Sequence, residues 1–87
     1  MQKFSYIIAD EVGIHARPAG LIVKEAGKYD ADITLTNQKN GASASAKRLF
    51  GIMALSVKCG DEVTITADGA DEQNAISAME ELFRKNL

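Results

Sequence analysis

Eighty-seven residues, 46% of them hydrophobic, suffice for one domain with one modest core, so residues 1–87 are read as a single domain. A net charge of −2 argues against a general nucleic-acid binder. One Cys precludes an internal disulfide framework and fits a reducing compartment, and one His with one Cys cannot build the usual zinc sites. No apolar run reaches membrane-span length and no charged-then-apolar segment opens the chain, so the expectation is a soluble cytoplasmic protein without membrane insertion.

Lys3 to Ile8 alternates around Phe4, Tyr6 and Ile8, as a half-buried strand does. Asp10 to Gly13 reads as a turn. It leads into Gly13-Ile14-His15-Ala16-Arg17-Pro18-Ala19-Gly20, which holds the only His and the only Pro of the chain. Pro lacks an N–H and has its φ fixed near the helical value, which suits the first turn of a helix. Ala19, Ile22, Val23, Ala26 and Tyr29 then recur at helical spacing, so a helix is expected from about Ala16 to Gly27.

This placement has chemical consequences. The first N–H groups of a helix lack internal partners and carry partial positive charge, which makes an anion site. Arg17 adds a permanent cation whose planar fork matches phosphate. The same field disfavours imidazolium, and neutral imidazole is a nucleophile. A phosphoryl group on the His15 ring would sit among free amides and a guanidinium. A lone His beside a helix start is also an ordinary surface or capping residue, and position alone leaves both readings open. Lys24 and Lys28, four apart on the polar side, read either as a docking feature for an acidic partner or as a solvated face.

Asp32 to Thr36 alternates again, with Ile33 and Leu35 on one face. Asn40-Gly41 signals a hairpin in which both central residues take positive φ, and Ala42 to Ala46 returns as a strand of small side chains. A short helix follows from about Arg48 to Leu55. Leu49, Ile52 and Leu55 fall near one side of it and Phe50 and Met53 toward another. A small domain cannot bury every side of such a helix, so part of it should remain as an apolar patch for a partner. Arg48 opposes the helix dipole and offers no capping hydroxyl. Cys59-Gly60-Asp61 is a turn, and no second Cys or adjacent His activates the thiol. Glu62 to Ala67 gives a fourth strand with Val63, Ile65 and Ala67 inward. Asp71 and Glu72 suit the positive end of a last helix, whose apolar stripe is Ala75, Ile76, Met79, Leu82 and Phe83.

Four strands with one apolar face and two long amphipathic helices make a two-layer α+β sandwich, though periodicity does not fix the strand order. No Gly-rich phosphate loop with Lys-Ser/Thr, no dinucleotide fingerprint and no nucleophile elbow is present. No cofactor and no metal are expected.

The Gly13–Ala19 motif resembles the active centre of the histidine-containing phosphocarrier (HPr) family of the bacterial phosphoenolpyruvate-dependent sugar phosphotransferase system. Ala42-Ser43-Ala44-Ser45-Ala46-Lys47, with Leu49-Phe50-Gly51-Ile52-Met53, resembles that family's second signature, and Gly69-Ala70-Asp71-Glu72 is similar to the lead into its last helix. The resemblance covers essentially the whole chain. It implies an open-faced β-sandwich: a four-stranded antiparallel sheet in the order 1-4-2-3, covered on one face by three helices, with a ββ hairpin between strands 2 and 3. It implies that His15, through Nδ1, takes a phosphoryl group from phospho-enzyme I and passes it to IIA domains of sugar permeases. Arg17 would steady the phosphate, and the turn at Ala16 and Pro18 would present backbone amides to it. Gly20, Lys24, Leu49, Phe50 and Met53 match positions that dock both partners.

Two departures stand out. Many members carry a Ser where this chain has Arg48, and a dedicated kinase phosphorylates it; Arg48 cannot be phosphorylated, so that switch is expected to be absent. Many members carry Ala at position 20, where Gly20 would loosen the first helix slightly. The leading reading is therefore a monomeric phosphoryl carrier with a covalent phosphohistidine, not an enzyme with its own small substrate. The alternative is a regulatory module on the same fold that docks a transcription factor or a metabolic enzyme; the presence of His15 favours the carrier. An independent acid–base enzyme lacks a second catalytic group of defined position.

Overall fold

Alternating side chains organise the sheet. The computed structural model describes residues 1–87. Its elements are β1 (Gln2–Ile7), α1 (Ala16–Ala26), β2 (Asp32–Asn37), β3 (Ser43–Ser45), α2 (Leu49–Ala54), β4 (Glu62–Asp68) and α3 (Glu72–Asn86). The strands form one antiparallel sheet in the order β1-β4-β2-β3, the open-faced arrangement that the resemblance implied.

The register assembles each face from matched rows. Phe4 stands opposite Ile65, Ile65 opposite Leu35, and Leu35 opposite Ala44. That row faces the helices and is buried or half-buried along its length. One residue along, Ser5, Thr64, Thr36 and Ser43 form the matching row on the uncovered face. Its hydroxyls pair across strands: Ser5 Oγ with Thr64 Oγ1 at 3.1 Å and Thr36 Oγ1 with Ser43 Oγ at 2.8 Å, while Gln38 Nε2 donates to Thr64 Oγ1 at 2.6 Å.

The helices cover the other face. α1 buries Pro18, Ala19, Ile22 and Ala26, and α3 buries Ala75, Ile76, Met79 and Phe83; of the expected stripes, Val23, Tyr29 and Leu82 are only half-buried. The Phe83 ring is fully buried and meets the edges of Phe4 and Tyr6, both at 5.9 Å between centroids. Burying such a ring contributes roughly 2–3 kcal/mol. Small side chains let α2 sit close to the sheet: a Cβ on Gly51 would stand 3.3 Å from the Ala44 Cβ. No helix is long and apolar enough to cross a membrane.

Two local expectations change, and one further residue has an added role. In the β2–β3 hairpin only Gly41 takes positive φ, at 74°, whereas both Asn40 and Gly41 were expected to. The connection spans residues 38–41, with Asn37 N donating to Ala42 O and Gly41 N donating to Asn37 O, each at 2.8 Å. The buried Asn37 side chain sets this longer loop: its Oδ1 accepts the Lys39 N–H at 3.0 Å. β3 is correspondingly shorter than Ala42–Ala46, although Ala46 N still donates to Ile33 O at 2.8 Å. Asp71 occupies the N-cap position of α3 but does not cap it. Its carboxylate instead accepts the N–H groups of Asp30 at 2.9 Å and Ala31 at 2.8 Å, tying the α1–β2 loop to the start of α3. Those donors hold the charged form, so its pKa lies below the ordinary Asp value.

Candidate functional site

Backbone constraints bring the site together. Asp10 opens a tight turn: its Oδ1 accepts the Val12 N–H at 2.8 Å and its carbonyl accepts the Gly13 N–H at 3.0 Å. Its own N–H donates to the Leu87 backbone oxygen at 2.9 Å, which fixes the turn to the end of α3. Gly13 has φ of 79°, and a Cβ there would overlap the Val57 carbonyl oxygen. Only glycine meets both conditions. Ile14 then donates to Val57 O at 3.1 Å and buries its side chain. The loop is therefore clamped on both sides before it reaches His15.

His15 is the N-cap of α1, with extended backbone at φ −105° and ψ −170°. Its carbonyl accepts the Ala19 N–H at 3.0 Å, while its side chain makes no capping bond. The imidazole is free for other chemistry and is 39% exposed. The N–H groups of Ala16 and Arg17 have no acceptor within the protein, and Pro18 has no N–H to offer. No acidic side chain occupies the first turn of α1, so none within the helix itself offsets its positive end. The exposed Arg17 guanidinium has no carboxylate or carbonyl partner. An imidazole, two open amides and an unpaired guanidinium thus lie within three consecutive residues.

These groups border a cleft of about 270 Å³ lined by Asp10, His15, Arg17, Pro18, Leu21, Lys85 and Asn86. Sequence reasoning named His15, Arg17 and Pro18 but not the other four. Asp10 was placed in a turn without a role, yet its Oδ2 stands 4.0 Å from His15 Nε2. Lys85 and Asn86 arrive from α3, a contact across the fold that no local motif announces. The signal for Leu21 was an apolar residue off the buried stripe of α1; it is 38% exposed.

The expected docking residues divide by exposure. Gly20 and Lys24 are exposed on α1, which packs against α2. On α2, Phe50 is 83% exposed and Met53 38%, whereas Ile52 and Leu55 are buried. The expected apolar patch is present. Leu49 differs from the pair: it is half-buried and packs against the core. Lys28 is held by Glu25 at 3.2 Å, while Lys24 has no acidic partner, so of the two lysines only Lys24 offers an uncompensated charge. Arg48 is the exposed N-cap of α2 and makes no side-chain capping bond.

The chain is similar to known proteins. A family model described as the phosphotransferase-system HPr component phosphorylation site matches residues 2–85. The phosphocarrier protein HPr of Mycoplasma capricolum is 46% identical over 82 residues, spanning 93% of this chain and 89% of its own. That of Mycoplasma genitalium is 40% identical over 86 residues, spanning 99% and 97%. A solved structure of the mycoplasma histidine-containing phosphocarrier protein superposes with a TM-score of 0.91 at 40% identity, covering 97% of this chain and 93% of that one.

Proposed function

The chain belongs to the HPr family of phosphocarriers of the phosphotransferase system, and from that premise we propose that His15 accepts a phosphoryl group from phospho-enzyme I and donates it to IIA domains of sugar permeases. The observation that carries this reading is the half-exposed, uncapped imidazole beside two open amides and an unpaired guanidinium. The Nδ1 lone pair attacks phosphorus. The N–P bond forms as the donor's bond to phosphorus breaks, and the donor atom keeps its electron pair. The phosphoryl oxygens meet the Ala16 and Arg17 N–H groups and the Arg17 fork, which balance their charge. The group is carried rather than converted, so the protein is a covalent intermediate in its partners' reactions.

Transfer in both directions requires short-lived complexes. Phe50 and Met53, with Gly20 and Lys24, supply a small apolar patch with one free cation, suited to transient docking of acidic partners. Leu49, half-buried on the same helix, adds its exposed part to this surface. Arg48 replaces any phosphorylatable hydroxyl at the start of α2, so the serine-kinase switch is absent; incubation with that kinase and ATP should yield no phosphoserine. The protein works as a monomer in the cytoplasm.

The test is direct. The protein is mixed with enzyme I, phosphoenolpyruvate and Mg²⁺ and assayed for acid-labile phosphate. His15→Ala should abolish labelling, and labelling that survives refutes the site. Arg17→Glu should slow transfer at least about tenfold, the size of one lost charge-assisted contact. An unchanged rate removes Arg17 from the mechanism.

A further inference from the structure

We propose that Asp10 is a positioning residue for the His15 ring. In this assignment its carboxylate holds the proton on Nε2 and leaves the Nδ1 lone pair for phosphorus. The inference rests on the carrier reading above for its kinetic consequence, but not for the ring geometry.

Asp10 Oδ2 and His15 Nε2 are 4.0 Å apart, about 1 Å beyond hydrogen-bond length. What gives this separation meaning is how firmly the carboxylate is fixed. Oδ1 is committed to the Val12 N–H, the Asp10 carbonyl to Gly13, and the Asp10 N–H to Leu87. Oδ2 is the one acceptor left, and it faces the imidazole across the cleft. Neither ring nitrogen has a hydrogen-bond partner elsewhere in the protein.

The other charged side chains on the cleft do not compete for the role. The Lys85 ammonium is bound by Glu81 at 2.8 Å, and the Arg17 guanidinium is the group assigned to the phosphate. A neutral imidazole has one N–H and one lone pair. A carboxylate beside Nε2 favours the tautomer with its proton there.

When Nδ1 bonds phosphorus, the ring keeps its Nε2 proton and becomes cationic; no proton leaves His15. The phosphoryl donor departs with the electron pair of the broken bond. The new positive charge develops beside Asp10, which draws the pair together and stabilises the loaded ring. The chain therefore brackets one imidazole with opposite charges: amides and guanidinium for the phosphoryl oxygens, and a carboxylate for the far nitrogen.

The test uses Asp10→Ser, which keeps an oxygen for the Val12 N–H, and Asp10→Glu, which restores the charge. Ring ¹⁵N chemical shifts and couplings of the unphosphorylated protein, read at a pH where the ring is neutral, report the tautomer. The parent should be predominantly Nε2–H, Asp10→Ser should move toward an even mixture, and Asp10→Glu should recover part of the parental pattern. Phosphoryl transfer from phospho-enzyme I should slow about tenfold in Asp10→Ser, the effect of one unit charge at this distance in a half-exposed site. A tautomer ratio and a rate both unchanged in Asp10→Ser overturn the proposal. A shifted ratio with an unchanged rate overturns its charge-stabilising half. A parent that takes no phosphate, with the tautomer moving as described, refutes the carrier reading and leaves the Asp10 assignment standing.

Discussion

Asn37 is the fully buried polar side chain of the core, and replacing it should cost about as much stability as truncating a buried apolar neighbour. Its Nδ2 donates to Leu55 O at 3.0 Å and its Oδ1 accepts from Lys39 N at 3.0 Å, so it ties the end of β2 to the end of α2. Asn37→Ala removes both bonds. The exposed Lys39 N–H turns to water, but the carbonyl of buried Leu55 is left without a partner. An orphaned acceptor costs about 1–3 kcal/mol and the lost net bond about 1 kcal/mol, so roughly 2–4 kcal/mol is expected. In a domain of this length that lowers Tm by about 10–20 °C. Asn37→Asp sharpens the test. It sets a carboxylate oxygen against the Leu55 carbonyl oxygen in a buried site, which raises the folded-state pKa. A raised carboxyl penalises the folded state at neutral pH, and the penalty fades as pH falls and the proton returns to donate to Leu55. Thermal melts followed by circular dichroism from pH 7 to pH 4 should show Asn37→Asp gaining stability relative to the parent on acidification, while Asn37→Ala stays offset. A loss below about 0.5 kcal/mol in Asn37→Ala would show that Leu55 finds another donor and would refute the reasoning.

Gly20 lies on the exposed face of α1, and a Cβ added there would meet nothing within 4 Å, so Gly20→Ala should stabilise the fold by about 0.5–1 kcal/mol in chemical denaturation; a loss would point to an unrecognised contact. Phe50→Ser should leave the melting temperature within a few degrees of the parent, because the ring is 83% exposed, while raising the KM for transfer from phospho-enzyme I; an unchanged KM would remove Phe50 from the docking surface. Asp71 is stabilised in its charged form by the Asp30 and Ala31 amides, so its contribution is complete above the ordinary Asp pKa and disappears as pH falls through the lowered folded value. Parent and Asp71→Asn should accordingly differ in Tm at neutral pH and converge in acid; a constant difference would place the stabilisation elsewhere.

Much of the fold was legible because it is written locally. The alternation in β1, β2 and β4 and the stripes of α1 and α3 required only a period of two or 3.6, and burial follows them except at the half-buried Val23, Tyr29 and Leu82. The order β1-β4-β2-β3 was not legible from periodicity, because it depends on which strands meet in space; the family resemblance supplied it. The site divides in the same way. His15, Arg17 and Pro18 are adjacent in the chain, so their meeting at a helix N-terminus could be read directly. Asp10, Lys85 and Asn86 join them through tertiary contacts: α3 packs on α1, and the Leu87 oxygen accepts the Ala9 and Asp10 N–H groups. Asn37 carries no local signal of its bond to Leu55, and Asp71 suits a helix start that it does not cap. The cause is common to both. Each side chain reaches to a backbone distant in sequence: Leu55 for one, Asp30 and Ala31 for the other.

The row of paired hydroxyls on the bare side of the sheet has a consequence for traffic. Ser5, Thr64, Thr36 and Ser43 satisfy one another and offer neither a greasy surface nor a strong charge to a visitor. If partners dock at the α1–α2 patch as proposed, this row leaves the other side of the molecule as the place for loading and unloading. On that reading two visitors would compete for one small area, and the carrier would alternate between them rather than bridge them.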